Sequence, residues 1–414
     1  MNGSGGKMEA ELEPLVILDS SEERRIKRGS GGSKQRSWKE TTWKLAKLFF
    51  MLDVTAAVCF LIFYWYYCSN GAALCMAPIA PAIIEAPGPY LLGSLVTFNS
   101  MFLENFQFNM TGNDVIVFLH IQKTGGTVFG KHLVEDLDLQ QPCLCHRERG
   151  HRNPLKSRKK KGKKRCDCFR PNRSHNSTWL FSRYSTGWKC GLHADWTELT
   201  RCVDAALDEI DDRQEKRRYF YISFLREPVA RFISEFKHVQ RGATWRNSLH
   251  VCNGRKSVIP SCYPGRSDWS GVSLDEFLAC PHNLAFNRQT RMLADLHLVD
   301  CYAGASSERS QEEAGELMLA SALANLKALS FYGITELQRQ SQYVFEETFG
   351  LRFSEPFEQY DETQSKSAHV TLTQEQLRKI SQKNALDIKL YETAKRLSEW
   401  PLLLDSSLPP HSAV

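Results

Sequence analysis

An apolar, β-branched run, Val115–Leu119, ends in Gln122-Lys123-Thr124-Gly125-Gly126-Thr127, and helix-compatible sequence follows from Val128 to Leu137. Strand, glycine turn and helix in that order leave few folds open. The layout turns backbone N–H groups and a helix N-terminus toward one point. An anion there gains hydrogen bonds and the positive end of the helix dipole together. Lys123 and two threonine hydroxyls stand beside it. The spacing GxxxxGK[ST] occurs nowhere in the chain, because here the lysine precedes the glycines. The turn is a phosphate cradle of another kind.

Two further segments repeat the strand-then-helix order. Tyr219–Leu225 precedes a helix from Pro228 to about Gln240, and Leu329–Ile334 precedes one from Glu336 to Phe349, closed by Gly350. Near-continuous apolar strands alternating with helices indicate an α/β fold, a P-loop-like parallel sheet with helices on both faces. Ser273-Leu-Asp-Glu276 has the form of a capping box, and Thr373 to Leu397 reads as one final amphipathic helix. Ligands of such sheets sit beyond the carboxyl ends of the strands, so all three strand ends should face one site. At the second end stands Arg226, before Pro228 in the first helical turn, with Ser234 two turns on. Arg226 there either pairs with Glu227 or Glu235, or joins Ser234 in holding a second anion. Two anion sites on one sheet imply a nucleoside with phosphates at both ends.

From Leu48 to Tyr67 the chain is apolar except for Asp53, long enough to cross a bilayer. Residues 1–47 hold ten Lys/Arg and seven Asp/Glu, and Arg24, Arg25, Lys27, Arg28, Lys44 and Lys47 crowd the membrane side. By the positive-inside rule the N-terminus is cytosolic and the rest is not. The expectation is a single-pass type II membrane protein: tail 1–47, transmembrane helix 48–67, stem 68–105, lumenal domain 106–400 and C-terminal tail 401–414. Ten of thirteen cysteines fall between Cys143 and Cys301, a density suited to an oxidising compartment. The pairs Cys143/Cys145 and Cys166/Cys168 suit either zinc or disulfides, and the setting favours disulfides. We expect those pairs to cross-link to each other, with Cys190–Cys202, Cys252–Cys262 and Cys280–Cys301 as local staples. Asn109, Asn172 and Asn176 head glycosylation triplets.

Longer strings narrow the reading. FLHIQKTGGT, RPNRS…TWLFSRYSTGW, CGLHADWTELT, HVQRGATW and NRQTRMLADL closely resemble the heparan-sulfate 6-O-sulfotransferases, from about Asp114 to Tyr391. The resemblance implies a lumenal Golgi enzyme that uses 3′-phosphoadenosine 5′-phosphosulfate, acts on heparan sulfate and needs no metal. It assigns His120, Ile121, Gln122, Lys123, Thr124, Gly125, Gly126, Thr127 and Val128 to the phosphosulfate, and Arg226 with Ser234 to the 3′-phosphate. It gives Glu358, Gln359, Tyr360, Gln364 and Ser365 to a loop over the nucleotide. It makes His193 the general base and lines the acceptor groove with Lys164, Arg165, Arg183, Trp188, His238 and Trp245. Val128 replaces a residue that is usually threonine, and Gln364 stands where a basic residue is common.

The chemistry asks for these groups. Sulfuryl transfer, like phosphoryl transfer, moves charge onto the bridging oxygen of the departing phosphate. Lys123 supplies a point charge there and the loop N–H groups hold the rest. A primary sugar hydroxyl needs a base, and histidine suits neutral pH. His120, beside the loop, is the rival for that role. Net charge is +6, and Arg147–Arg165 alone holds eleven basic residues and one acidic. Without it, the chain after residue 47 carries 32 basic and 39 acidic residues. The concentration suits an anionic polymer, or equally a solvated tract. DNA or RNA would give the same signature, but a lumenal protein rarely meets either. A lumenal kinase and a non-catalytic glycan-binding protein are the competing classes. A kinase would need carboxylates for Mg²⁺ near the loop, and none follows the first two strands in the expected way.

Overall fold

The computed structural model describes residues 51, 55, 97, 107–147, 164–173, 177–242, 250–252, 254–257, 259, 260, 262, 269–302, 310–357 and 371–404. The apolar stretch 48–67 lies outside them except for Met51 and Thr55, which are helical, with Thr55 Oγ1 donating to the Met51 carbonyl at 2.9 Å. Among the described residues no helix is long and apolar enough to cross a membrane. Of the stem only Thr97 is described.

In chain order the elements begin with β1 (Asp114–Leu119), α1 (Gly126–Glu135), β2 (Leu144–Arg147), β3 (Lys164–Asp167), β4 (Leu180–Phe181), α2 (Trp196–Asp211), β5 (Arg218–Leu225) and α3 (Pro228–Gln240). Then come β6 (His250–Cys252), β7 (Arg255–Ser257), α4 (Leu274–Ala279), α5 (Arg288–Leu293), α6 (Gln311–Ala328), β8 (Phe331–Ile334), α7 (Gln338–Phe349), α8 (Gln374–Lys383) and α9 (Ala385–Leu404). Four strands form a parallel sheet in the order β4-β1-β5-β8. Asp114 is level with Arg218, Leu119 with Ser223, and Leu225 with Ile334.

Strand alternation divides the core between two faces. Val115, Val117, Leu119, Tyr219, Tyr221 and Leu225 pack with α2, α6 and α9. Ile116, Phe118, Phe220, Ile222 and Phe224 pack with α1 and α7. Helices therefore cover both faces, as the sequence led us to expect. A third cluster joins α3, α4 and α8. At the far edge from the loop, Arg218 clamps Asp114 through Nε–Oδ1 and Nη2–Oδ2 contacts of 2.6 and 2.7 Å.

Several expectations need correction. The sheet has a fourth strand, β4, at its edge. The third strand begins at Phe331, and the helix after it opens with a 3₁₀ turn, Thr335–Leu337. The final helix is two helices, broken at Asn384. There the Asn287 side chain accepts the N–H groups of Leu386 and Asp387, starting a new helix instead of continuing the old one. Among the disulfides, Cys143–Cys168, Cys145–Cys166 and Cys190–Cys202 match expectation. Cys252 pairs with Cys301 and Cys262 with Cys280, overturning Cys252–Cys262 and Cys280–Cys301. The reason is topological: the β6–β7 hairpin packs on α2, which brings Cys252 to the segment after α5. The CxC thiols, being bonded to each other, are not zinc ligands.

Candidate active site

The turn after β1 is built by two left-handed residues, Lys123 (φ 67°) and Gly125 (φ 78°). Thr124 Oγ1 donates to the Ile121 carbonyl at 3.0 Å, and the Gly125 carbonyl accepts the Val128 N–H at 2.9 Å. No side chain caps α1 at Gly125, whereas α2, α3, α4, α6 and α8 each carry a side-chain cap. The first N–H groups of α1 have no intrahelical partner by helix geometry, which suits an anion. Gly126 is required by its neighbours: a Cβ there would meet His120 Cδ2 at 2.5 Å and Phe118 Cζ at 3.0 Å. Ile121 is packed into the core, so only its backbone can serve a ligand.

The three strand ends converge. Thr335, just past β8, holds its hydroxyl 2.8 Å from the carbonyls of both Thr124 and Leu225. Arg226, just past β5, donates from Nη1 to the Lys123 carbonyl at 3.3 Å. Its ion pair is with Glu336 at 3.8 Å and not with Glu227 or Glu235. Glu227 instead caps α3, accepting the N–H groups of Val229 and Ala230. Glu235 is fully buried between Arg231 and Arg288. Burial raises its carboxyl, but the two guanidinium groups outweigh that and hold it below the usual range. Ser234 is buried on α3.

Positive charge gathers around the loop, offset in part by Glu336 and Glu235. Burial, then Arg241 and Arg226, pushes the Lys123 ammonium down to about 8. Burial also lowers the Arg226 guanidinium. His238, in the last turn of α3, is lowered to about 4, by burial first and Lys123 second. Polar atoms wait beside them: His120 Nδ1, Gln122 Oε1 and Arg226 Nε are buried with no hydrogen-bond partner among the described residues. Such atoms are costly unless a ligand satisfies them.

The segment between β4 and α2 lies over the loop. Arg183 Nη1 donates to Thr127 Oγ1 at 3.2 Å and stacks on Tyr184 and Trp188, its Cζ 4.7 and 5.4 Å from their ring centroids. Trp188, His193 and His120 form a ring cluster, with centroids of 4.8 Å for Trp188–His193 and 4.9 Å for His120–His193. His193 has a left-handed backbone (φ 55°) and is pinned by the Cys190–Cys202 disulfide to α2. Its Nδ1 lies 3.3 Å from the His120 carbonyl. Burial lowers its ring to about 3, despite the opposing effect of that hydrogen bond. Burial likewise holds His120 well below the usual range.

The structure thus brings together His120, Lys123, Thr127, Arg183, Trp188, His193, Arg226 and His238. It does not bring Lys164 to them. Lys164 pairs with Glu135 at the far end of α1, about 14 Å along the helix axis from the loop. Arg165 lies beside it on the β2–β3 ribbon, level with His146. Asn109 is exposed, its side chain accepting from Thr111 and Gly112, and Asn172 sits exposed in a left-handed turn. Asn176, Trp245, Glu358, Gln359, Tyr360, Gln364 and Ser365 lie outside the described residues. Gln289, Thr335 and Glu336 were not legible as site residues. Thr335 and Glu336 directly follow a strand end, which was the one usable signal.

A parallel α/β sheet with a lysine-glycine loop at its carboxyl edge, facing an arginine on the next strand end, is the layout of an α/β protein suited to binding an anionic ligand there. Comparison with known proteins is more specific. Residues 106–393 match the model of the sulfotransferase family. Heparan-sulfate 6-O-sulfotransferase 1 of Gallus gallus is 46% identical over 356 residues, covering 84% of this chain and 82% of the relative. The human protein of that name is 46% identical over 359 residues, with the same shares. Human heparan-sulfate 6-O-sulfotransferase 3 is 51% identical over 296 residues, covering 70% of this chain and 58% of the relative. The chain belongs to the sulfotransferase family and, within it, to the heparan-sulfate 6-O-sulfotransferases.

Proposed function

We propose that the protein transfers a sulfuryl group from 3′-phosphoadenosine 5′-phosphosulfate to the 6-hydroxyl of glucosamine residues in heparan sulfate. The observation that carries this reading is the meeting of a lysine-glycine loop, a half-buried strand-end arginine and a half-buried histidine at one edge of the sheet. Residues His120–Val128 receive the phosphosulfate end of the nucleotide, and Arg226 with Ser234 receives the 3′-phosphate. His120 Nδ1 and Gln122 Oε1, buried without a hydrogen-bond partner among the described residues, support that fit. Glu358, Gln359, Tyr360, Gln364 and Ser365 are further nucleotide contacts in this reading.

Lys123 stabilises charge on the bridging oxygen as the sulfuryl group leaves. His193 takes the proton of the acceptor hydroxyl. A carbonyl can only accept, so Nδ1–H donates to His120 and Nε2 carries the basic lone pair. Burial keeps the ring neutral before substrates arrive, and their sulfates and phosphates raise its basicity. Arg183, Trp188, His238 and Trp245 line the acceptor side, while Lys164 and Arg165 serve a more distant stretch of the polymer. The chain is held in the Golgi membrane by 48–67 in type II orientation, with Asn109, Asn172 and Asn176 as glycan acceptors.

The test is transfer of radiolabelled sulfate from the nucleotide to desulfated heparan sulfate, followed by disaccharide analysis. Label on the 6-hydroxyl of glucosamine is the expected result. Binding without transfer, phosphate transfer from ATP, or label at another hydroxyl would each overturn the proposal.

A further inference from the structure

We infer that Gln289 is a positioning residue for nucleotide recognition, holding the Arg226 peptide from both sides and so keeping its guanidinium against the loop. The inference rests on the reading that Arg226 receives the 3′-phosphate.

The β5–β8 ladder ends at the pair Leu225–Ile334, so Arg226 has left the sheet and lost a strand partner. Its peptide groups still need partners in a buried setting. Gln289 supplies both: Oε1 accepts the Arg226 N–H at 2.8 Å, and Nε2 donates to the Arg226 carbonyl at 2.8 Å. One side-chain amide stands in for the next strand's peptide. Gln289 has no exposed surface and sits in the first turn of α5, where its own N–H donates to Asp387 Oδ2 at 3.1 Å. Asp387 is itself buried on α9 and also accepts from Thr290 N and Oγ1, each at 2.8 Å. A fixed frame from the last helix thus reaches the Arg226 backbone. Arg226 Nη1 in turn meets the Lys123 carbonyl at 3.3 Å. Freed from Gln289, the Arg226 main chain gains freedom that the guanidinium inherits. A positioned cation then has to be ordered each time a ligand binds.

If Gln289 only satisfied a strand end, its loss would lower stability without changing which ligands are preferred. Two probes separate the cases: adenosine 3′,5′-bisphosphate, and adenosine 5′-monophosphate, which lacks the 3′-phosphate. Gln289→Met keeps the shape and removes both hydrogen bonds. It should weaken the bisphosphate about tenfold, as for a hydrogen-bonded contact to a charged group. The monophosphate should change by less than about twofold, an allowance well inside the factor of ten that 1.4 kcal/mol represents. KM for the sulfated donor should rise with kcat nearly kept. In an Arg226→Ala background, Gln289→Met should add nothing, since the contact it supports is gone. Gln289→Leu, which also removes both hydrogen bonds without burying a charge, gives the same selectivity and serves if the methionine variant does not fold. Equal weakening of both probes, or a full loss persisting without Arg226, overturns the inference. If Arg226→Ala itself weakens both probes equally, the Arg226 reading is what has failed, and the inference falls with it.

Discussion

His193 Nδ1 lies 3.3 Å from the main-chain carbonyl oxygen of His120. The backbone of one candidate base therefore fixes the tautomer of the other, and their rings stand 4.9 Å apart. Their surroundings assign different work. His120 is packed against Phe118 and over Gly126, at the loop. His193 comes from the segment that overlies the loop. His193→Ala should lose turnover by about a hundredfold or more, the scale of general-base catalysis, and bind the desulfated nucleotide normally. His120→Ala should weaken that nucleotide instead. Calorimetry and turnover on both variants check the pair, and exchanged phenotypes would make His120 the base.

Lys123 gives a pH dependence with a definite sign. Burial and neighbouring cations hold its ammonium at about 8 in the free protein. A bound phosphosulfate favours the charged form, so the value rises on binding. Affinity for the nucleotide should therefore be full well below pH 8 and fall as pH rises through about 8, with proton uptake on binding in that window. Calorimetry in two buffers of different ionisation enthalpy measures the uptake. Lys123→Ala should abolish both the uptake and most of kcat. Uptake unchanged in that variant would assign it to another group.

The three principal strands were legible as near-continuous apolar runs, and the loop and the Arg226 strand end as the Gly125-Gly126 turn after the first and Pro228 after the second. The two residues of β4 are too few for any periodicity, yet they aim Arg183, Trp188 and His193 at the loop. The break at Asn384 was invisible for another reason. A 25-residue amphipathic pattern continues through it, and what stops the helix is Asn287, 97 residues away. The ion pair that holds Lys164 at the far end of α1 was not legible, since charge says nothing of the Glu135 that holds it. Gln289 acts on backbone atoms, which leave no mark in a sequence. Two disulfides were mispaired because proximity in sequence was the only guide.

Asn287 and Asp387 cap each other's helices, and this should matter for stability. Asn287 Oδ1 accepts Leu386 N and Asp387 N at 3.0 and 3.3 Å, and the Asp387 carboxylate accepts Gln289 N and Thr290 N. Arg231 Nε lies 3.8 Å from Asp387, and both side chains are fully buried. Asp387→Ala leaves the Gln289 and Thr290 N–H groups and the Thr290 hydroxyl without their acceptor, at about 1–3 kcal/mol for each buried donor left unsatisfied, while Arg231 keeps Glu235. Asn287→Gly, which accepts the left-handed backbone at φ 48°, loses its own side-chain hydrogen bonds alone, about 1 kcal/mol. Thermal unfolding of the protein should rank the variants in that order, and equal midpoints would refute the reciprocal arrangement.

Gly126→Ala separates the loop's shape from its charge. Its φ is not among the left-handed values, so the backbone accepts alanine, and alanine favours a helix. The obstacle is contact: the new methyl would stand 2.5 Å from His120 Cδ2 and 2.9 Å from Nε2. The His120 ring is buried and stacked on Phe118, so it can move only toward the space assigned to the phosphosulfate. Crowding of this kind costs about 1–3 kcal/mol, here taken from ligand binding. Nucleotide affinity should fall about tenfold or more while the fold persists, since 1.4 kcal/mol is one decade. His120→Ala opens the room the methyl needs. The double variant should then bind no more weakly than His120→Ala alone, and additive losses would show that Gly126 acts through something other than the His120 ring.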